Sequence, residues 1–296
     1  MINNKIYFSI PGYFHQYDVN IALLKLKQKF PEKFYDDIII DSIYDCFPNS
    51  IWNGGRVCLE KTVPIKDMKD ILYTFNEFGL SIRHTFTNEL LENTDLYDRL
   101  SNKILEISSN TLIKTGININ SELLKNYIED KYPNIFYFNW SATKCLKDID
   151  EINHLSCNNL VIPSYQSINN NFEIINNLLY PNNIEFIVDE CCFDKCPFYT
   201  SHYKKFNKEQ LYMNDYDAEI CRCQQSPNYY ERRTNRKHNI SIDLIREKYL
   251  PLGFNKFKIT GREEFPFNLI ESYVNYFVKK EYRDFIRNSL LSEVYG

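Results

Sequence analysis

"KIYFSIPGYFHQYDVNIALLKLKQKF" (residues 5–30) holds one complete structural unit, and what lies in its middle decides the fold. The β-branched and aromatic run "KIYFSI" (5–10) reads as a strand, and "NIALLKLKQKF" (20–30) repeats its apolar positions at helical spacing. No glycine-rich phosphate loop joins them, although a dinucleotide-binding open sheet would need one after its first strand. The unit therefore predicts a strand–helix repeat of another kind.

Working outward, the same alternation continues along the chain. Further strands are expected at 37–44, 80–86, 111–117, 135–141, 159–164, 184–190 and 256–261. Helices are expected at 65–79, 96–109, 121–132 and 170–179, with a weaker signal at 141–155 and a long final helix at 267–291. Eight strands, most followed by a helix, predict an α/β (β/α)8 TIM-like barrel. A doubly wound sheet uses the same local units and is the alternative. No linker divides the chain, so residues 1–296 read as a single barrel domain. The rhythm breaks only between the seventh and eighth strands, and 190–250 reads as an insertion over the barrel mouth.

Composition narrows the function classes. The 35 basic residues nearly balance the 39 acidic ones, so no global field attracts nucleic acid or an anionic membrane. The opening "MINNKIYFSIPGYF" has no long apolar stretch and predicts no signal peptide, and no segment reads as a membrane span. A cytoplasmic setting follows, in which clustered cysteines serve as metal ligands or redox groups rather than disulfides.

Five of the nine cysteines lie between 191 and 223, in "VDECCFDKCPFY" (188–199) and "ICRCQQ" (220–225). Closely spaced thiolates can converge on one metal because closing a short loop costs little entropy. Four of these five can hold Zn2+ or an iron–sulfur cluster. Adjacent Cys191 and Cys192 cannot easily both reach one small centre, so one is a spectator. Cys46, Cys58, Cys145 and Cys157 are scattered and read as core or surface thiols.

"NIEFIVDECCFDKCPFYTSHY" (183–203) and "YLPLGFNKFKITGREEFPFNLIESYVNYF" (249–277) resemble the peptidase U32 family, as do "FPNSIWNGGR" (47–56) and "RHTFTN" (83–88). The resemblance implies an iron–sulfur TIM-like barrel with a [4Fe-4S] cluster on four cysteines. It implies oxygen-independent hydroxylation of RNA bases or quinone precursors rather than proteolysis. Cys192 and Cys196 match the cysteines after the seventh strand, Cys221 the next ligand, and Cys223 is the nearest candidate for the fourth, with Cys191 its alternative. This chain departs from the family in its compressed spacing, which leaves the fourth ligand and the substrate open.

Other polar residues converge on the strand ends. Asn53 and Arg56 flank two glycines that would let backbone approach a ligand while the guanidinium clamps an anion. A plain Asn-Gly turn is the alternative. Asn88 stands at the end of the third strand, where His84 reads as structural. Glu190, beside the cysteines, is a candidate proton-transfer group. Lys258 and Arg262 on the eighth strand are candidates for anion binding, and Lys258 for imine chemistry in a zinc-stapled, aldolase-like or sugar-modifying barrel. The basic run 231–239 could contact RNA and so support a non-catalytic binding module. A small anionic substrate is the expected partner.

Overall fold

The computed structural model describes residues 5–214, 236–262 and 265–296. The strands are β1 (Ile6–Pro11), β2 (Ile38–Asp45), β3 (Ser81–Phe86), β4 (Gly116–Ile119), β5 (Tyr137–Trp140), β6 (Leu160–Val161), β7 (Glu185–Ile187) and β8 (Lys256–Lys258). They lie in the order β6-β5-β4-β3-β2-β1-β8-β7, with every neighbouring pair parallel. A parallel bridge between Val161 and Ile184 brings the two edges together. The result is a nearly closed (β/α)8 TIM-like barrel, as the strand count predicted.

Two-residue periodicity divides each strand between lumen and outer shell. In β1, Ile6, Phe8 and Ile10 are fully buried under the helices. The Phe8 ring meets Phe257 of β8 and, from the helical layer, Tyr276 and Phe277. Burying a side chain of this size stabilises the fold by about 1.5–3 kcal/mol. The alternate residues face the lumen, which holds Ser9, Arg83, Thr85, Asn118, Asn139, Glu185 and Lys258, all buried. The apolar core thus sits between strands and helices, while the barrel interior is polar.

The helices are α1 (Tyr17–Lys29), α2 (Ile65–Glu77), α3 (Arg99–Ser108), α4 (Glu122–Lys131) and α5 (Ile149–Ser156). The short turns α6 (Tyr165–Ile168) and α7 (Phe172–Ile175) precede α8 (Tyr199–Leu211), α9 (Pro266–Phe277) and α10 (Arg283–Tyr295). Side-chain caps start several of them, as where Asp98 accepts from Ser101 N and Asp148 from Glu151 N. None among the described residues is long and apolar enough to cross a membrane.

Three sequence expectations need correction. The fourth strand begins at Gly116, not 111, because Thr111 Oγ1 bonds the carbonyls of Ser108 and Ile113 and folds this segment into a turn. The helix expected at 170–179 shrinks to a single turn, Phe172–Ile175. The helix expected at 267–291 is two helices. Val278 forms an antiparallel bridge with Phe34, and Lys279 N donates to Lys33 O at 3.0 Å, which draws the chain out of helical conformation.

Helix α8 was not anticipated. It follows β7 and fastens to three strand-end loops. Gln210 Nε2 donates to Ser50 O at 2.8 Å, Asn88 Nδ2 donates to Asn207 O at 3.0 Å, and Tyr199 Oη donates to Ala142 O at 3.3 Å. These loops follow β2, β3 and β5, so α8 crosses the C-terminal end of the barrel, where such folds carry their chemistry.

Candidate functional site

The lumen changes character along its length. In its lower half Arg83 Nη1 donates to Glu185 Oε1 at 2.7 Å, and Arg83 Nε donates to Tyr137 Oη at 3.2 Å. Burial alone would lower the Arg83 pKa, but Glu185, Tyr137 and Asp41 together outweigh it and the group stays cationic. Higher up, the Lys258 ammonium lies 3.3 Å from the centroid of the Tyr44 ring. Tyr44 Oη is fixed by donating to Ile259 O at 2.7 Å. Among the described residues that ammonium makes no hydrogen bond or ion pair. Burial lowers its pKa from 10.5 to about 7 against the opposing field of Glu185. Ser9 Oγ, Asn118 Nδ2 and Asn139 Oδ1 are also buried without a partner among the described residues. Unsatisfied polar atoms that face the lumen from β1, β4, β5 and β8 suit a polar ligand or ordered water.

Cys192 and Cys196 belong to one buried cluster at the end of β7, with Ala142, Ile162, Tyr165, Ile187, Tyr199 and Tyr203. Gln166 Nε2 donates to Cys192 Sγ at 3.3 Å. Cys191 faces Glu190 instead: its amide and its thiol both donate to Glu190 Oε1, at 2.9 and 3.4 Å. The Tyr203 pKa is raised first by burial and then by the Glu190 charge. Cys221 and Cys223 lie outside the described residues, as do 231–235 of the basic run. Of the rest of that run, Arg236 Nε donates to Cys191 O at 3.3 Å and Lys237 N to Asp194 Oδ1 at 3.0 Å.

On the β1–β2 side the buried Asp45 carboxylate gathers the mouth. Its Oδ2 accepts from the amides of Phe14 and His15 at 3.0 and 2.9 Å, and its Oδ1 from the amide of Cys46 at 2.8 Å. His15 Nδ1 lies 2.9 Å from the same carboxylate. Burial opposes the charge on each partner, but their mutual attraction wins. It raises His15 to about 9 and holds Asp45 below its usual range. Arg262 Nη1 donates to Thr85 Oγ1 at 2.7 Å and to Cys46 Sγ at 3.4 Å. Cys46 and Cys58 act on each other's ionisation. Burial pushes Cys46 up, but the Cys58 donor and the Arg262 charge bring it down; Cys58 is raised by the Cys46 contact and by burial.

The expected substrate-binding loop is tied into the scaffold. Asn53 Nδ2 donates to Phe47 O at 2.8 Å, and Asn88 bonds the backbone of Ile51, Asn207 and Leu90. A Cβ on Gly54 would stand 2.6 Å from Thr87 C, so the close approach this glycine permits is to the end of β3. Arg56 donates to Gly55 O and stacks over Phe206 of α8, 5.9 Å from the ring centroid. His84 lies outside the lumen, 2.8 Å from Tyr13 Oη and 2.6 Å from Ser108 Oγ, and burial lowers its pKa to about 3. Sequence reasoning missed His15, Asp45 and Glu60. For His15 and Asp45, position at a strand's C-terminal end was the available signal, since side chains there face the mouth.

No protein-family model matches this chain, and no curated protein does. Among solved structures, the chain is similar to one described as the structure of the U32 peptidase Mk0906. Sequence identity is 14% and the TM-score 0.53, over 88% of this chain and 94% of that one. The β-barrel described here has a U32-like fold.

Proposed function

We propose that the protein is an iron–sulfur redox enzyme acting on a small anionic substrate at the barrel mouth. The supporting observation is that two kinds of group stand at the ends of adjacent strands: the buried sulfurs of Cys192 and Cys196 after β7, and, at the end of β8, Lys258, which makes no hydrogen bond or ion pair among the described residues. Two soft sulfurs among aromatic rings, one of them accepting from an amide donor, match the surroundings that iron–sulfur clusters use. Cys192 and Cys196 would supply two thiolates, and Cys221 and Cys223 the others. A [4Fe-4S] cluster so held would supply single electrons. Oxygen-independent hydroxylation, of a small molecule or a nucleic-acid base, is the reaction form that the U32 likeness suggests.

The chain's own residues would do the rest. Lys258 would attract the substrate anion into the lumen, and its lowered pKa lets it exchange a proton near neutrality. Arg262, anchored by Thr85 and Cys46, would orient the anion, and Glu190 would move protons beside the thiolates. Anaerobic purification followed by iron and acid-labile sulfide analysis tests the reading. The wild-type chain should carry both, with the brown colour of a cluster, and the C192S/C196S variant should carry neither. Colourless protein without sulfide, even after reconstitution with iron and sulfide, would overturn it, and stoichiometric zinc that is lost in the C192S/C196S variant would favour the stapled barrel.

A further inference from the structure

A second set of metal-type donors stands at the mouth, on the β1–β2 side and apart from the β7 cysteines. His15 follows β1, Cys46 follows β2 directly, and Cys58 and Glu60 lie in the loop beyond. His15 Nε2 is 3.3 Å from Cys58 Sγ and 3.4 Å from Glu60 Oε1. One ligand atom from each of His15, Cys58 and Glu60 falls within 4.8 Å of the other two. These are a nitrogen, a sulfur and an oxygen converging from three positions.

The surroundings fix that convergence. Asp45 holds His15 Nδ1, and three backbone amides hold Asp45, so the imidazole turns Nε2 toward Cys58 and Glu60. A carboxylate behind a ligating histidine is the usual outer-shell support of a metal site. The loop that carries Cys58 is clamped by α8: Cys58 N donates to Gln210 Oε1 at 2.7 Å, and Gln210 Nε2 donates to Cys58 O at 3.4 Å. Cys46, whose charge acts on both His15 and Cys58, adds another sulfur in the same region. A plain surface ion pair between His15 and Glu60 would need neither the clamp nor the two thiols.

The geometry points to a site for one divalent transition-metal ion, with His15, Cys58 and Glu60 as ligands and Cys46 as the candidate fourth. Mixed nitrogen, sulfur and oxygen donors suit Zn2+. Mg2+ and Ca2+ prefer all-oxygen sites. Arg262 beside Cys46 and Asp45 offsets the negative charge that two thiolates and two carboxylates bring together.

Co2+ added to metal-free protein tests this site separately from the β7 cysteines. In the C192S/C196S variant one equivalent of Co2+ should give visible d–d bands and a sulfur-to-cobalt charge-transfer band, and adding C46S and C58S together should remove the latter. Loss of the charge-transfer band in C192S/C196S, or its survival when C46S and C58S are added to that variant, would overturn the proposal. Should that combination fail to fold, E60Q serves, because Glu60 is exposed. Competition with a chromophoric chelator should then show Zn2+ affinity weakened roughly tenfold or more, a scale that even outer-shell losses reach. Unchanged affinity in E60Q would reject the site.

Discussion

Arg83 and Lys258 are both cations buried on the inner wall, and the two halves of the lumen treat them in opposite ways. The lower half surrounds Arg83 with Glu185 and Tyr137, so its charge is matched where it stands. Among the described residues, the upper half gives Lys258 the face of Tyr44 and no hydrogen bond or ion pair. A buried charge without a partner is unfavourable for the fold, and its presence marks a place kept for something other than stability. The base of this barrel therefore balances its buried cation with an opposite charge, whereas the described upper lumen gives its cation an aromatic face.

The largest effect is expected where that matching is broken. In Glu185→Gln the Arg83 guanidinium keeps its burial and loses the opposing charge, which should destabilise the chain by about 3–5 kcal/mol. Urea unfolding at neutral pH measures it. A change near zero would make Arg83 no more structural than a surface cation and would erase the contrast.

Lys258→Met should act in the other direction and depend on pH. The Lys258 pKa falls from 10.5 in the unfolded chain to about 7 in the folded one. Between these values the unfolded chain binds a proton that the folded chain does not. Wild-type stability from this group is therefore lowest below pH 7 and rises as pH increases through the window, by up to about 1.4 kcal/mol per pH unit. The methionine variant lacks that slope. Its stability relative to wild type should fall by roughly 2–3 kcal/mol between about pH 7 and pH 9, read from urea unfolding curves. A flat difference would mean that Lys258 titrates as an ordinary lysine and that the upper lumen is no harsher than solvent.

Strand period made much of this barrel legible in the sequence. Alternation along β3 sets Arg83 and Thr85 on one face and His84 on the other, as found. Long-range contacts hid the rest. Position 116 takes glycine because a Cβ there would lie 2.5 Å from Tyr137 Cζ, a ring that the neighbouring strand supplies. Val278 ends α9 by pairing with Phe34, with no glycine or proline to announce the break. The same blindness affected the mouth. Cys46 and Cys58 read as isolated thiols because His15 and Arg262, which give them a setting, are brought in by other strands. Asn53 and Asn88 stood where a ligand could be met, yet backbone groups of the folded loops use their amides.

The smallest expected effect belongs to Thr85, which ties Arg262 to the end of β2. Its Oγ1 accepts from Arg262 Nη1 at 2.7 Å and donates to Asp45 O at 3.2 Å. Thr85→Val keeps the shape and removes both bonds, while Arg262 retains Asp45, with Nε 3.6 Å from Oδ1, and Cys46. The loss should be about 1–2 kcal/mol, the scale of a hydrogen bond to a charged group whose other partners survive. Parallel urea curves for Thr85→Val and Glu185→Gln decide how the barrel is fastened. If the valine variant loses more than the glutamine variant, the principal clasp lies at the mouth, and Arg262 is then too deeply structural to be released toward a substrate.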